Sequence, residues 1–292
     1  MKYNAETTIT IEEILSMAQH AYYSKDYEYQ RFHQNKCLSI LKKQNNIAIL
    51  SFKGLTSVVD LNSSLKVRKK ILKNHNFKIR TNALPKQHLI KHLLECNYID
   101  LNYIVLTGHS LGGRYAQIAE QYFCYLKDDK IPESYKIINI QKYLKRIYSK
   151  LHKKDIESLS QKFFIIIQRI INCYCISFNT APLHQNEKKY LHTNYIDIYH
   201  ENDYVRKKYE ALDCVPINHI IIKIPNHKKM QNRTSKIKSF LNSIDAHKLN
   251  YVEKSMACMI SWYISMTMYR ITFIKKLTIW HMRPACWSWI FR

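Results

Sequence analysis

Two periods of hydrophobic residues alternate along this chain. Tyr103, Ile104, Val105, Leu106 and Thr107 form a short, partly β-branched apolar run, the pattern of a buried parallel strand. Beyond Ser110 the pattern changes. Leu111, Tyr115, Ile118, Ala119, Tyr122 and Phe123 recur at helical spacing. Further strands are predicted at Cys173 to Phe178, at Asn194 to Tyr199 and at Ile220 to Ile224. The elements describe an α/β chain with a mostly parallel sheet flanked by helices.

One stretch interrupts this alternation. Ser110 and Phe178 are 68 positions apart, more than one helix and two loops require. Between them Ile140, Tyr143, Leu144, Ile147 and Leu151 recur at helical spacing, as do Ile156, Leu159, Phe163, Ile167 and Ile170. Lys142, Lys145, Arg146, Lys150, Lys153 and Lys154 crowd the polar positions. Residues 127–171 therefore read as an insertion of two amphipathic basic helices, above or beside the sheet. Such helices suit an anionic membrane surface. They also suit a cap with a solvated basic face, the commoner use of an amphipathic helix.

The junction of strand and helix carries the candidate chemistry. The chain has four glycines, and three lie in Gly108-His109-Ser110-Leu111-Gly112-Gly113. A chain so poor in glycine keeps it where φ is positive or where backbones approach closely. G-x-S-x-G between a strand and a helix is the nucleophile elbow, a strained turn that lifts a serine hydroxyl off the sheet. Gly112 and Ala116, one turn apart, allow the helix close to the sheet. The N–H of Leu111 and the helix N-terminus face the reacting centre and suit a developing oxyanion.

A serine nucleophile needs a base and a group that orients it. In this strand–turn–helix context the order is serine, acid, histidine. Asp203 follows the strand at 194–199, on a loop at the sheet's C-terminal edge, where α/β sites form. Asp197 lies inside that strand and reads as structural; Asp213 is a weaker alternative. Of His219, His227, His247 and His281, His247 lies in a loop entering a helix and is the candidate base. His219 reads as a sheet residue.

Together these residues resemble the fungal-type, or class 3, triacylglycerol lipases. The resemblance runs from about Ala18 to Tyr251. Ala18 to Tyr23 is similar to that family's N-terminal helix. Ile47 to Ser57 is similar to its strand ending in an F-R-G-T/S oxyanion loop. Gly108 to Gly113 matches G-H-S-L-G-G. Ile176 to Pro182 resembles T-F-G-x-P, Asp203 to Val205 resembles D-x-V, and Asp245 to Tyr251 resembles D-H-x-x-Y. The chain departs from the pattern at Lys53 (usually Arg), at Leu55 (usually Thr or Ser), at Arg114 (usually small) and in the turn before Pro182, which lacks glycine. The resemblance implies an α/β-hydrolase fold and hydrolysis of an acyl ester, of lipid origin. Ser110 would be the nucleophile, His247 the base and Asp203 its orienting acid. The backbone N–H groups of Leu111 and Leu55 would hold the oxyanion, and Val58 to Leu72 would form a lid. The alternative is a lipase-like membrane-binding or interaction module with little or no turnover.

Charge and composition adjust this picture. The formal net charge of +24 predicts attraction to anionic surfaces. No zinc-finger spacing, aromatic RNA-binding motif or helix-turn-helix pattern points to nucleic acid. Eight cysteines are scattered without a C-x-x-C pair and read as reduced thiols, so neither metal nor cofactor is expected. Glu6, Glu12 and Glu13 break any apolar leader. The expectation is a cytoplasmic protein, or one exported without a cleaved signal, with peripheral membrane association. Residues 1–254 read as the lipase-like domain and 255–292 as a tail. The tail holds all four tryptophans, and Met256 to Tyr269 is uncharged. It reads as a membrane-interface element or as an unselected extension.

Overall fold

The computed structural model describes residues 9–23, 30–34, 37–54, 75–95, 100–180, 195–200, 203 and 220–224. Five helices are described: α1 (Ile11–Tyr23), α2 (His75–Glu95), α3 (Leu111–Lys127), α4 (Glu133–Ile147) and α5 (Lys153–Arg169). Seven strands are described: β1 (Gln30–Gln34), β2 (Cys37–Gln44), β3 (Ile47–Phe52), β4 (Tyr103–His109), β5 (Asn172–Phe178), β6 (Tyr195–His200) and β7 (Ile220–Ile224). They form one sheet in chain order, β1 to β7. β3 to β7 are parallel, and β2 is antiparallel to both β1 and β3. The α/β class with a mostly parallel sheet is thus present, with two antiparallel strands added at one edge.

Stepping one strand at a time in a single direction sets where the helices go. Right-handed crossovers that advance the same way return to the same face of a sheet. α2 and α3 accordingly share a face, packed on Ala48, Leu50, Phe52, Ile104, Leu106, Cys173 and Cys175. α1 precedes the sheet and covers the other face, on Ile47, Ile49, Val105, Ile176 and Phe178. Successive residues of β3 and β4 therefore point into different cores, and both strands are buried along nearly their whole length. Burying a side chain such as Leu50 or Ile104 contributes about 1.5–3 kcal/mol. α1 begins at a reciprocal cap. The Thr10 N–H donates to Glu13 Oε2 at 2.8 Å, and the Glu13 N–H donates to Thr10 Oγ1 at 3.2 Å.

The segment between α3 and β5 is a helical hairpin, its two helices lying where the spacing predicts helices. α4 buries Ile140, Tyr143 and Leu144, and α5 buries Ile156, Phe163, Phe164, Ile166 and Ile167. Both pack on α2, and α5 also on α3. Leu151 departs from expectation. α4 ends at Ile147, where the Tyr148 N–H closes on the Leu144 carbonyl at 2.7 Å, so Leu151 lies in the turn and is exposed. The fastenings of the hairpin lie where β4 and β5 begin. Lys127 Nζ donates to the Gln168 carbonyl at 3.1 Å, Gln168 Nε2 to the Leu126 carbonyl at 3.2 Å, and the Ile171 N–H to the Asn102 carbonyl at 2.7 Å. Ser110 lies at the opposite end of α3, roughly 25 Å away at 1.5 Å per residue.

Candidate active site

The elbow is built from β4, the turn at Ser110 and α3. Ser110 has φ 57° and ψ −120°, a left-handed conformation that L side chains rarely adopt. A residue held this way costs of order 1–3 kcal/mol and persists only where its surroundings enforce it. Here the Ser110 N–H donates to the Phe178 carbonyl at 3.0 Å, tying the turn to the end of β5. The Arg114 N–H then closes on the Ser110 carbonyl at 3.3 Å as α3 begins.

The glycines serve close approach rather than positive φ, since none of the four has φ above zero. A Cβ on Gly112 would strike the carbonyl of Phe52 and come within 2.9 Å of the Gly54 nitrogen. A Cβ on Gly108 would lie 2.6 Å from the Gly112 oxygen and 2.8 Å from the Gly113 nitrogen. The end of β3 and the following loop therefore lie directly against the first turn of α3. In that turn the N–H groups of Leu111, Gly112 and Gly113 precede the first intrahelical bond, which suits an anion. Arg114 is buried on α3.

The same edge carries two further fixtures. Asn179 follows β5 with φ 45°, at the place where the T-F-G-x-P pattern has glycine, and asparagine tolerates that conformation. Its N–H donates to the Ile198 carbonyl at 2.8 Å, linking β5 to β6. Asp203 lies three positions beyond the end of β6 and is fully buried. Ser110 and Asp203 are thus both at the C-terminal edge of the sheet.

Asp197 has the structural place that its strand position predicts. It is buried and accepts a hydrogen bond from Ser177 Oγ at 3.1 Å. Ser177 Oγ also meets the Tyr195 hydroxyl at 2.9 Å, and Gln117 Nε2 donates to that hydroxyl. The network joins α3, β5 and β6 one layer below the elbow. Cys173 and Cys175 lie on this side of β5 as buried thiols, and the thiol of Cys124 is half-buried. Burial pushes the carboxyl of Glu120 well above its ordinary range, and both Cys173 and Cys175 thiols upward for the same reason.

Two groupings lie outside what the sequence pattern reveals. The Tyr22 hydroxyl, at the end of α1, is 2.9 Å from His109 Nδ1, and a Cβ on Gly54 would strike it. The N-terminal helix, the loop after β3 and the elbow meet at that hydroxyl. Between β2 and α2, Ser39 Oγ lies 2.6 Å from His88 Nδ1 and 2.7 Å from His92 Nε2, all three fully buried. Burial, and secondarily the neighbouring Lys91, lowers His92 to about 3. Helical spacing of four could have flagged the histidine pair; nothing local marks Ser39 as its partner.

His247, Leu55, the segment 58–72, Asp213, His219, His227, His281 and the tail 255–292 lie outside the described residues. Among the described residues no three His, Cys, Asp or Glu side chains converge as metal ligands, and no helix is long and apolar enough to cross a membrane. A shallow cleft lined by Glu12, Glu13, Met17, Lys42 and Ile49 lies at the start of α1, remote from Ser110. No protein-family profile matches the chain, and no curated protein matches it.

Proposed function

We propose that this chain is a serine esterase of the α/β-hydrolase type, acting on an acyl ester of lipid origin. The observation that carries the proposal is the backbone of Ser110: φ 57° and ψ −120° at a turn from a buried parallel strand into a helix. A non-glycine residue strained at this point is what a nucleophile elbow requires. The burial of Asp203 at the same sheet edge supports its role as acid.

In this reading Ser110 Oγ attacks the ester carbonyl while His247 takes its proton. The oxygen of the tetrahedral intermediate gains negative charge and is held by the N–H groups of Leu111 and Leu55. His247 returns the proton to the leaving alcohol as the C–O bond breaks, leaving an acyl group on Ser110. Water, deprotonated by His247, then releases the acid and restores the serine. Asp203 keeps His247 in the tautomer that accepts the proton.

Labelling by a fluorophosphonate probe tests the proposal, alongside hydrolysis of a soluble p-nitrophenyl ester. Labelling and turnover are both expected for the native chain and both absent in Ser110→Ala. Hydrolysis that survives in Ser110→Ala overturns the assignment. Labelling without turnover favours the second reading, an interaction module in which Leu55, lacking the usual hydroxyl, leaves the oxyanion poorly held.

A further inference from the structure

Among the described residues the large exposed hydrophobic side chains are Tyr135, Ile138, Leu151, Ile165 and Ile171, and all of them lie in the helical hairpin or its junctions. Tyr135 and Ile138 are the most exposed, at 64 % and 61 %. They stand one turn apart near the start of α4. Continuing along the same face at helical spacing come Lys142, Lys145 and Arg146, all exposed. The opposite face of α4 holds the buried Ile140, Tyr143 and Leu144. α4 is therefore packed on its inner side and has an outer side with two apolar residues followed by three cations. Lys142, Lys145 and Arg146 make no ion pair among the described residues; Arg146 instead leans toward the Tyr143 ring, at 5.9 Å.

The chemistry of this face selects its partner. Cations with no acidic partner among the described residues call for an anionic surface. An exposed tyrosine and isoleucine in line with them call for a surface that also accepts apolar side chains. No recessed groove is needed, because a helix that lies in a membrane interface presents only a face. We infer that the outer face of α4, defined by Tyr135, Ile138, Lys142, Lys145 and Arg146, docks on an anionic lipid bilayer. The inference does not rest on the esterase reading, since the hairpin is fastened at the end of the sheet opposite Ser110. Lipid contact there neither uses nor covers the nucleophile.

Cosedimentation of the full chain, carrying Ser110→Ala, with vesicles of phosphatidylcholine alone or containing phosphatidylserine tests this. The expected result is binding that requires phosphatidylserine and falls with salt. Combining Lys142→Glu, Lys145→Glu and Arg146→Glu should weaken it about 100-fold or more, since each cation near an anionic leaflet is worth about a fivefold change. The positions are exposed, and an unchanged circular dichroism spectrum verifies that the variant folds. Acetylation of lysines, read by mass spectrometry, supplies a local readout: Lys142 and Lys145 should be protected when vesicles are bound. Equal binding to both vesicle types, unweakened binding by the triple variant, or no protection of these two lysines overturns the inference. So does capture of duplex DNA by this face without vesicle binding.

Discussion

The Tyr22 hydroxyl lies 2.9 Å from Nδ1 of His109, the residue immediately before Ser110. The last turn of α1 is thereby fastened to the elbow, although 87 positions separate the two residues. The same hydroxyl abuts Gly54, so that one atom sets how closely the loop after β3 approaches the elbow. Tyr22→Phe removes the bond and keeps the ring. The proposed esterase should then lose about tenfold in turnover through misplacement of the reacting groups, with little change in KM. Stability should fall by about 1 kcal/mol. Unchanged turnover on a soluble ester, with the folded state intact, would leave Tyr22 as a packing residue only.

The strain at Ser110 gives a prediction in which stability and activity part. Glycine adopts φ 57° without a Cβ penalty, so Ser110→Gly should relieve backbone strain. Against the greater entropy of glycine in the unfolded chain, a net gain of about 1 kcal/mol is expected. Ser110→Ala retains the Cβ and should lack that gain. Both variants should fail to react with a fluorophosphonate. A Ser110→Gly chain less stable than Ser110→Ala in urea denaturation would show that the turn is not strained.

Gly112 is the glycine where close approach is most demanding. A Cβ there would strike the Phe52 carbonyl and crowd the Gly54 nitrogen. Backbone cannot swing aside as the end of a long side chain can. Gly112→Ala should therefore destabilise by about 1–3 kcal/mol and move β3 relative to α3. A fully stable, fully active Gly112→Ala chain would contradict this packing.

β4 and β5 were legible in the sequence because they are buried on both faces and read as short, mainly apolar runs. The hairpin was legible because its helices bury one stripe and expose the other. β1, β2 and α2 were not. α2 contains Pro85 within its length and buries polar His88 and His92, so its pattern is not that of an amphipathic helix. β2 hides Ser39 in the core and exposes Lys42 and Lys43, a mixture with no simple period. At the site, the elbow was legible through its glycines, whereas the Tyr22–His109 contact depends on a fold that brings α1 across the sheet. Asn179 shows a limit of a different kind: its positive φ is a glycine position that the sequence fills with another residue.

Asp203 separates two assignments of the acid. It is fully buried just past β6, so its carboxylate is held by the fold. In the proposed triad, Asp203→Asn should lower turnover by about 10⁴-fold through the wrong histidine tautomer. Asp213→Asn should leave turnover within about threefold, because in the proposed triad Asp203 alone orients His247. The reverse pattern would transfer the role to Asp213.

The Ser39, His88 and His92 cluster makes stability depend on pH. The Ser39 hydroxyl has one hydrogen, so it donates to one imidazole and accepts from the other. Burial and Lys91 lower His92 from an ordinary value of 6.5 to about 3, so it remains neutral when folded. The folded value lies below the unfolded one. Above pH 6.5 neither state binds the proton, and the full stability is present. As the pH falls from 6.5 toward 3, only the unfolded chain gains the proton, and His92 alone costs about 1.4 kcal/mol per pH unit. His92→Gln keeps a group able to bond to Ser39 and removes the titration. Urea denaturation at pH 7, 6 and 5 should show the native chain losing stability more steeply than the variant, by about one proton's worth of slope below pH 6. Parallel slopes would mean that His92 takes up its proton as readily in the folded chain as in the unfolded one, which would overturn the neutral buried imidazole.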